Sequence, residues 1–87
     1  MLIYDSSFGK VELTNERFSH ILTFHPEIKN FSKYFKSVLG QPDFIHQSKS
    51  DPKVKIFYKQ ITGLKYIAVV IKTNSRNFIL TAYITKN

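Results

Sequence analysis

The chain has 87 residues, with 13 Lys and Arg against 6 Asp and Glu, a formal charge of +7 and no cysteine. A chain this short holds one domain with one core, and the missing cysteines exclude disulfides, thiolate metal sites and a thiol nucleophile. The excess of basic residues favours a polyanionic partner, while no apolar run approaches the roughly 18 residues of a membrane span.

Leu2 to Tyr4 and Lys10 to Leu13 read as short strands joined by the polar turn Asp5 to Gly9. Thr14 is a good helix N-cap, and Phe18, Ile21 and Leu22 form the apolar stripe of a first helix. Pro26 disfavours helical backbone at His25, so the spacing predicts a break there and a second helix opening at Pro26. Ile28, Phe31, Phe35, Val38 and Leu39 give that helix its stripe, and Gly40 followed by Pro42 stops it. Asp43 to Gln47 is a candidate short strand. Three strands follow, Val54 to Lys59, Leu64 to Lys72 and Asn77 to Thr85, with connections short enough for an antiparallel meander. The expected fold class is α+β: a single domain, 1–87, with helices on one face of a twisted sheet.

Period-two alternation places Phe78, Leu80, Ala82 and Ile84 on the core face of the last strand, with Ile79, Thr81, Tyr83 and Thr85 opposite. In the first meander strand Val54, Ile56 and Tyr58 oppose Lys55, Phe57 and Lys59. If the non-core faces coincide, Lys55 and Lys59 share a surface with Thr81 and Tyr83. Such a basic, aromatic face suits nucleic acid, since ammoniums meet phosphates and rings stack on bases. Solvated lysines and hydroxyls are its plainer explanation. The strand Leu64 to Lys72 is apolar on both faces, as expected of a central strand covered on both sides.

His20 lies away from the apolar stripe of its helix, and His25 stands at the helix junction, where free amides attract phosphate and favour a neutral imidazole. A neutral imidazole serves as general base and a charged one as acid. His20 and His25 lack a nearby third ligand, so no metal site is assigned. His46 has no evident partner and reads as structural.

The runs Glu16-Arg17-Phe18-Ser19-His20-Ile21-Leu22, His25-Pro26-Glu27, Gln41-Pro42-Asp43-Phe44-Ile45, Phe57-Tyr58-Lys59, Tyr66-Ile67-Ala68-Val69-Val70 and Phe78-Ile79-Leu80-Thr81-Ala82-Tyr83, in that order, resemble a family of small phage and bacterial proteins. These are grouped with the barnase–EndoU–colicin–RelE-like ribonucleases. Phe57 stands where that family often has a second tyrosine.

The resemblance implies two N-terminal helices packed on a twisted antiparallel β-sheet, barnase- or RelE-like. It also implies a metal-independent endoribonuclease, with a toxin among the expected roles, that needs no cofactor and leaves a 2′,3′-cyclic phosphate. Carried over by position, the catalytic candidates are His20, His25, Lys59, Thr81 and Tyr83. Lys29, Lys55, Tyr58 and Arg76 complete the set as nucleic-acid contacts. The alternatives are a non-catalytic RNA-binding module and a small interaction domain for an acidic protein, such as an antitoxin. The N-terminus carries no basic region or cleavage site, giving the expectation of a cytoplasmic protein.

Overall fold

A computed structural model describes residues 1–86. Its elements are β1 (Leu2–Ser6), β2 (Gly9–Leu13), α1 (Asn15–Phe24), two 3₁₀ turns (Pro26–Asn30 and Ser32–Tyr34), α2 (Phe35–Gly40), β3 (Phe44–Gln47), β4 (Val54–Thr62), β5 (Lys65–Lys72) and β6 (Asn77–Lys86). The six strands form one sheet in the order β1-β2-β6-β5-β4-β3.

This corrects the expected fold class in three respects. The helices are not N-terminal, because the β1–β2 hairpin precedes them and joins the same sheet. The sheet is mixed: β2 runs parallel to β6, pairing Val11 with Asn77 and Glu12 with Phe78. The second helix does not form as one rod. Between His25 and Gly40 the chain makes two 3₁₀ turns and only six residues of α-helix. Ser32 competes with helical bonding through its own side chain, its hydroxyl reaching back to the Lys29 carbonyl at 3.5 Å. The turns nonetheless bury Ile28, and α2 buries Phe35, Val38 and Leu39.

Those four residues and Ile21 of α1 cover one face of the sheet. Beneath them lie Val11 and Leu13 of β2, Phe57 of β4, Ile67, Val69 and Ile71 of β5, and Ile79 and Ala82 of β6. Thr14 caps α1 as expected, its hydroxyl accepting from the Arg17 amide at 3.1 Å. The first turn closes through Gly9, whose φ of 99° lies in the region that favours glycine. Asn77 ties that turn to β6, donating from Nδ2 to the Phe8 carbonyl at 2.9 Å.

A bulge changes the expected facing of β6. Val70 pairs with Thr81, but Ile71 pairs with Ile79, leaving Leu80 as the extra residue. Ile79 therefore turns into the core, fully buried, while Leu80 is only half-buried and Phe78 joins the opposite face. Thr81, Tyr83 and Thr85 keep that opposite face. A second correction concerns β5, which is buried on both sides without a second covering layer. Ala68 and Val70 are hidden instead by larger side chains on neighbouring strands.

Phe57 is the largest buried sheet residue at the centre of this single core. Replacing it with alanine leaves a cavity that so small a domain cannot refill. Phe57→Ala is expected to cost about 3–5 kcal/mol, read as an earlier urea midpoint with an unchanged slope.

Candidate functional site

The open face of the sheet is built by register. Phe44 of β3 pairs with Tyr58 of β4, Tyr58 with Ala68 of β5, and Ala68 with Tyr83 of β6. One row crossing four strands thus carries three aromatic rings and one methyl. The small Ala68 leaves Tyr58 and Tyr83 facing each other over it, two strand spacings apart, or roughly 10 Å between their backbones. The adjacent row holds His46, Ile56, Val70 and Thr81.

Helix α1 supplies the other wall. Near its start the Arg17 guanidinium lies 5.8 Å from the Phe78 ring, and at its end the His25 ring lies 5.7 Å from Tyr83. The helix therefore runs beside β6 in the same direction, where β6 has no strand neighbour beyond Phe78. His25 owes its position to the proline after it. Its backbone amide ends α1 on the Ile21 carbonyl at 2.8 Å, and its carbonyl accepts from Ile28 at 3.0 Å to start the next turn. The Glu27 carboxylate stands 3.8 Å from His25 Nδ1.

Burial pushes the Tyr83 phenol above its ordinary range, and the neighbouring Tyr58 adds to the shift. At neutral pH Tyr83 is therefore a hydrogen-bond donor, not a base. At the far end of the row Phe44 stacks on Tyr58 at 4.8 Å, with His46 at 5.2 Å and Tyr66 at 5.7 Å from the same ring. Phe44, His46, Tyr58, Tyr66, Thr85 and Lys86 line a shallow depression of about 190 Å³ there.

The structure brings together His25, Thr81, Tyr83 and Tyr58. It places the other sequence candidates elsewhere. His20 packs its ring on Phe24 at 5.0 Å on the outer side of α1, in a depression shared with Thr14, Glu16, Arg17, Ser19 and Thr23. Lys55 and Lys59 flank Phe57 on the helix-covered face, because Lys59 pairs with Ile67 and Lys55 with Ile71. Their ammoniums reach out to backbone and amide oxygens, Lys59 to Gln41 at 2.6 Å and Lys55 to Gln47 and Pro52 at 2.7 Å each. Arg76 is held by Glu12 at 2.8 Å near the start of β6. Lys29 is exposed on the first 3₁₀ turn and has no salt bridge among the described residues.

Sequence reasoning missed Arg17, Phe44, His46 and Tyr66. Phe44 and His46 carried a usable signal, since two residues apart on a strand they share a face. Arg17 carried none, because its place over Phe78 depends on how α1 lies against β6. Among the described residues no three of His, Cys, Asp and Glu are grouped as a metal ion would need, and no helix is long and apolar enough to cross a membrane. Compared with protein-family models, curated proteins and solved structures, the chain matches none.

Because the folded chain favours the neutral Tyr83 phenol, its contribution to stability holds below the usual phenol range and fades as the pH rises through Tyr83's own titration. Tyr4 shares the upward shift through burial. An ultraviolet titration of Tyr83→Phe should lose one late-ionising phenol and keep the Tyr4 one. A curve identical to that of the parent protein would refute this.

Proposed function

We propose that the protein is a metal-independent endoribonuclease whose reacting groups are His25 and Tyr83. The observation that carries this reading is the imidazole beside a protonated phenol, 5.7 Å between rings, at the end of an aromatic row on an open sheet face. The resemblance of the ordered motifs to those of the barnase–EndoU–colicin–RelE-like ribonucleases supports it, and the charge of +7 suits a phosphate backbone.

His25 takes the proton of the ribose 2′-hydroxyl, and Glu27 stabilises the imidazolium that forms. The 2′-oxygen bonds to phosphorus while the bond from phosphorus to the 5′-oxygen breaks. The Tyr83 hydroxyl protonates the departing 5′-oxygen and regains its proton from solvent, while His25 releases its own. The products are a 2′,3′-cyclic phosphate and a free 5′-hydroxyl. Thr81, one row away, is placed to donate to a phosphate oxygen, and Arg17 offers a guanidinium without a salt bridge among the described residues. His20 has no part in this scheme.

A second reading, a non-catalytic RNA-binding module, is favoured by one observation: a single imidazole, not a pair, stands beside Tyr83. The two readings separate on histidine dependence. In EDTA the purified protein should cut end-labelled RNA to fragments with cyclic-phosphate ends. His25→Ala should reduce the rate by two or more orders of magnitude, and His20→Ala should stay within about threefold of the parent. Intact RNA at micromolar protein, from a folded sample that still binds it, would select the binding module.

A further inference from the structure

Beyond the reacting pair, the open face has a feature that the cleavage chemistry leaves unused. Phe44 is 38 % exposed, although it sits at the centre of a group of four rings. It stacks on Tyr58 with 26° between ring planes, while His46 meets Tyr58 nearly edge-on at 68°. These rings belong to the short edge strand β3 and its neighbours, across the sheet from His25. Among the described residues no element covers them, since every buried helical residue packs on the other face.

A cation borders them. Lys86 lines the depression beside these rings and has no carboxylate partner among the described residues; its register partner Lys65 alternates with Tyr66 and so turns to the helix-covered face. The carboxylates nearest in sequence are already engaged: Asp43 accepts from the Gln60 amide at 2.7 Å, and Asp51 pairs with Lys72 at 3.4 Å. An exposed ring cluster beside the Lys86 ammonium suits a ligand with flat apolar faces and negative charge. A protein partner would require a wider apolar patch and a reason for the flanking lysine.

We infer that Phe44, with Tyr58, His46 and Tyr66, is a base-stacking platform that holds single-stranded RNA across the strands, leading toward His25. The ligand is single-stranded because a duplex keeps its base faces stacked inside and cannot offer them to rings. The row from Phe44 through Tyr58 to Tyr83 spans three strand spacings, roughly 14 Å, which accommodates about two to three nucleotides of extended strand between platform and reacting groups. The direction across the strands is set by register, so the platform and His25 lie at opposite ends of one track. This inference takes its polarity from the ribonuclease reading, although the platform itself rests on the rings and Lys86 alone.

The test uses a fluorescent RNA of roughly eight nucleotides with 2′-O-methyl riboses, which lack the attacking hydroxyl, and the duplex of the same strand. The full chain is compared with Phe44→Ala and with Phe8→Ala, which removes an exposed ring on the helix-covered side. Phe44→Ala should weaken single-strand binding roughly 5- to 150-fold, while Phe8→Ala leaves it unchanged. The duplex should bind more weakly to the parent protein and be insensitive to Phe44. Because Phe44 is exposed, circular dichroism of the variant should match the parent.

Equal single-strand affinity for Phe44→Ala and parent would overturn the platform, and so would duplex binding as tight as single-strand binding. Cleavage of unmodified RNA with a KM indifferent to Phe44 would keep the ribonuclease and remove the platform. Phe44-dependent binding without cleavage would do the reverse. A folded protein that ignores both RNAs but forms a stable complex with an acidic protein would overturn both and make this face a protein interface.

Discussion

A six-stranded sheet has two faces, and the helical segment of this chain, residues 15 to 40, has apolar residues enough to cover one. Ile21, Ile28, Phe35, Val38 and Leu39 are nearly or wholly withdrawn from water on that side. Among the described residues nothing comparable covers the other. The uncovered face still carries Ala68 and Val70 on β5, and both are buried. They stay dry because Tyr58, Tyr66, Tyr83 and Ile56 on the same face stand over them, half-buried themselves. The aromatic side chains therefore have a stability role before any functional one. Each tyrosine offers a large apolar body and a polar tip, which lets it shield a neighbour while keeping its hydroxyl in water.

Which groups meet on that face depends on the register of β5 with β6. A shift of one residue would exchange every side chain between faces. With Ala68 opposite Tyr83 and Val70 opposite Thr81, the hydroxyl-bearing residues of β6 face outward. The bulge at Leu80 confines the exception to the start of the strand, where Ile79 turns inward to fill the core and Phe78 turns outward beneath Arg17. Helix α1 then lies along the free edge of β6, and the proline after His25 ends it level with Tyr83. The candidate site is the meeting point of a register, a bulge and a helix stop, none of them sufficient alone.

The charge distribution follows the same layering. Lysines on the covered face, Lys55 and Lys59, lay their stems along the edge of the core and extend their ammoniums to oxygens at its margin. Lys59 holds the end of α2, and Lys55 the end of β3 and the loop before β4, more than they form a binding surface. Arg76 is committed to Glu12. Arg17 and Lys86 carry no salt bridge among the described residues, and they stand at opposite margins of the aromatic face, Arg17 by Phe78 and Lys86 by the depression around Phe44. A polyanion approaching this molecule meets positive charge around rings, not a uniform basic stripe.

Much of this was legible in the chain itself. Thr14 capping the first helix, Pro26 ending it at His25 and Gly40 ending the second helical region are local effects within one or two turns, and each holds. Alternation in β4 correctly opposed Tyr58 to Lys55 and Lys59, because a strand's two faces are a property of that strand alone. Which face meets the helices is not such a property, and so the lysines went to the covered side and Tyr58 to the open one. Expecting one continuous second helix failed for a related reason. The stripe from Ile28 to Leu39 marks burial, and two 3₁₀ turns with a short α-helix satisfy it as well as a single rod. The parallel pairing of β2 with β6 and the approach of His25 to Tyr83 join residues more than 50 positions apart, and the bulge at Leu80 is set by how β6 pairs with β5. The sequence by itself determined composition, caps, breaks and the two sides of each strand, since those depend on near neighbours. Only the tertiary structure decided which sides face water together, because strand register and helix placement are settled by packing one core as a whole.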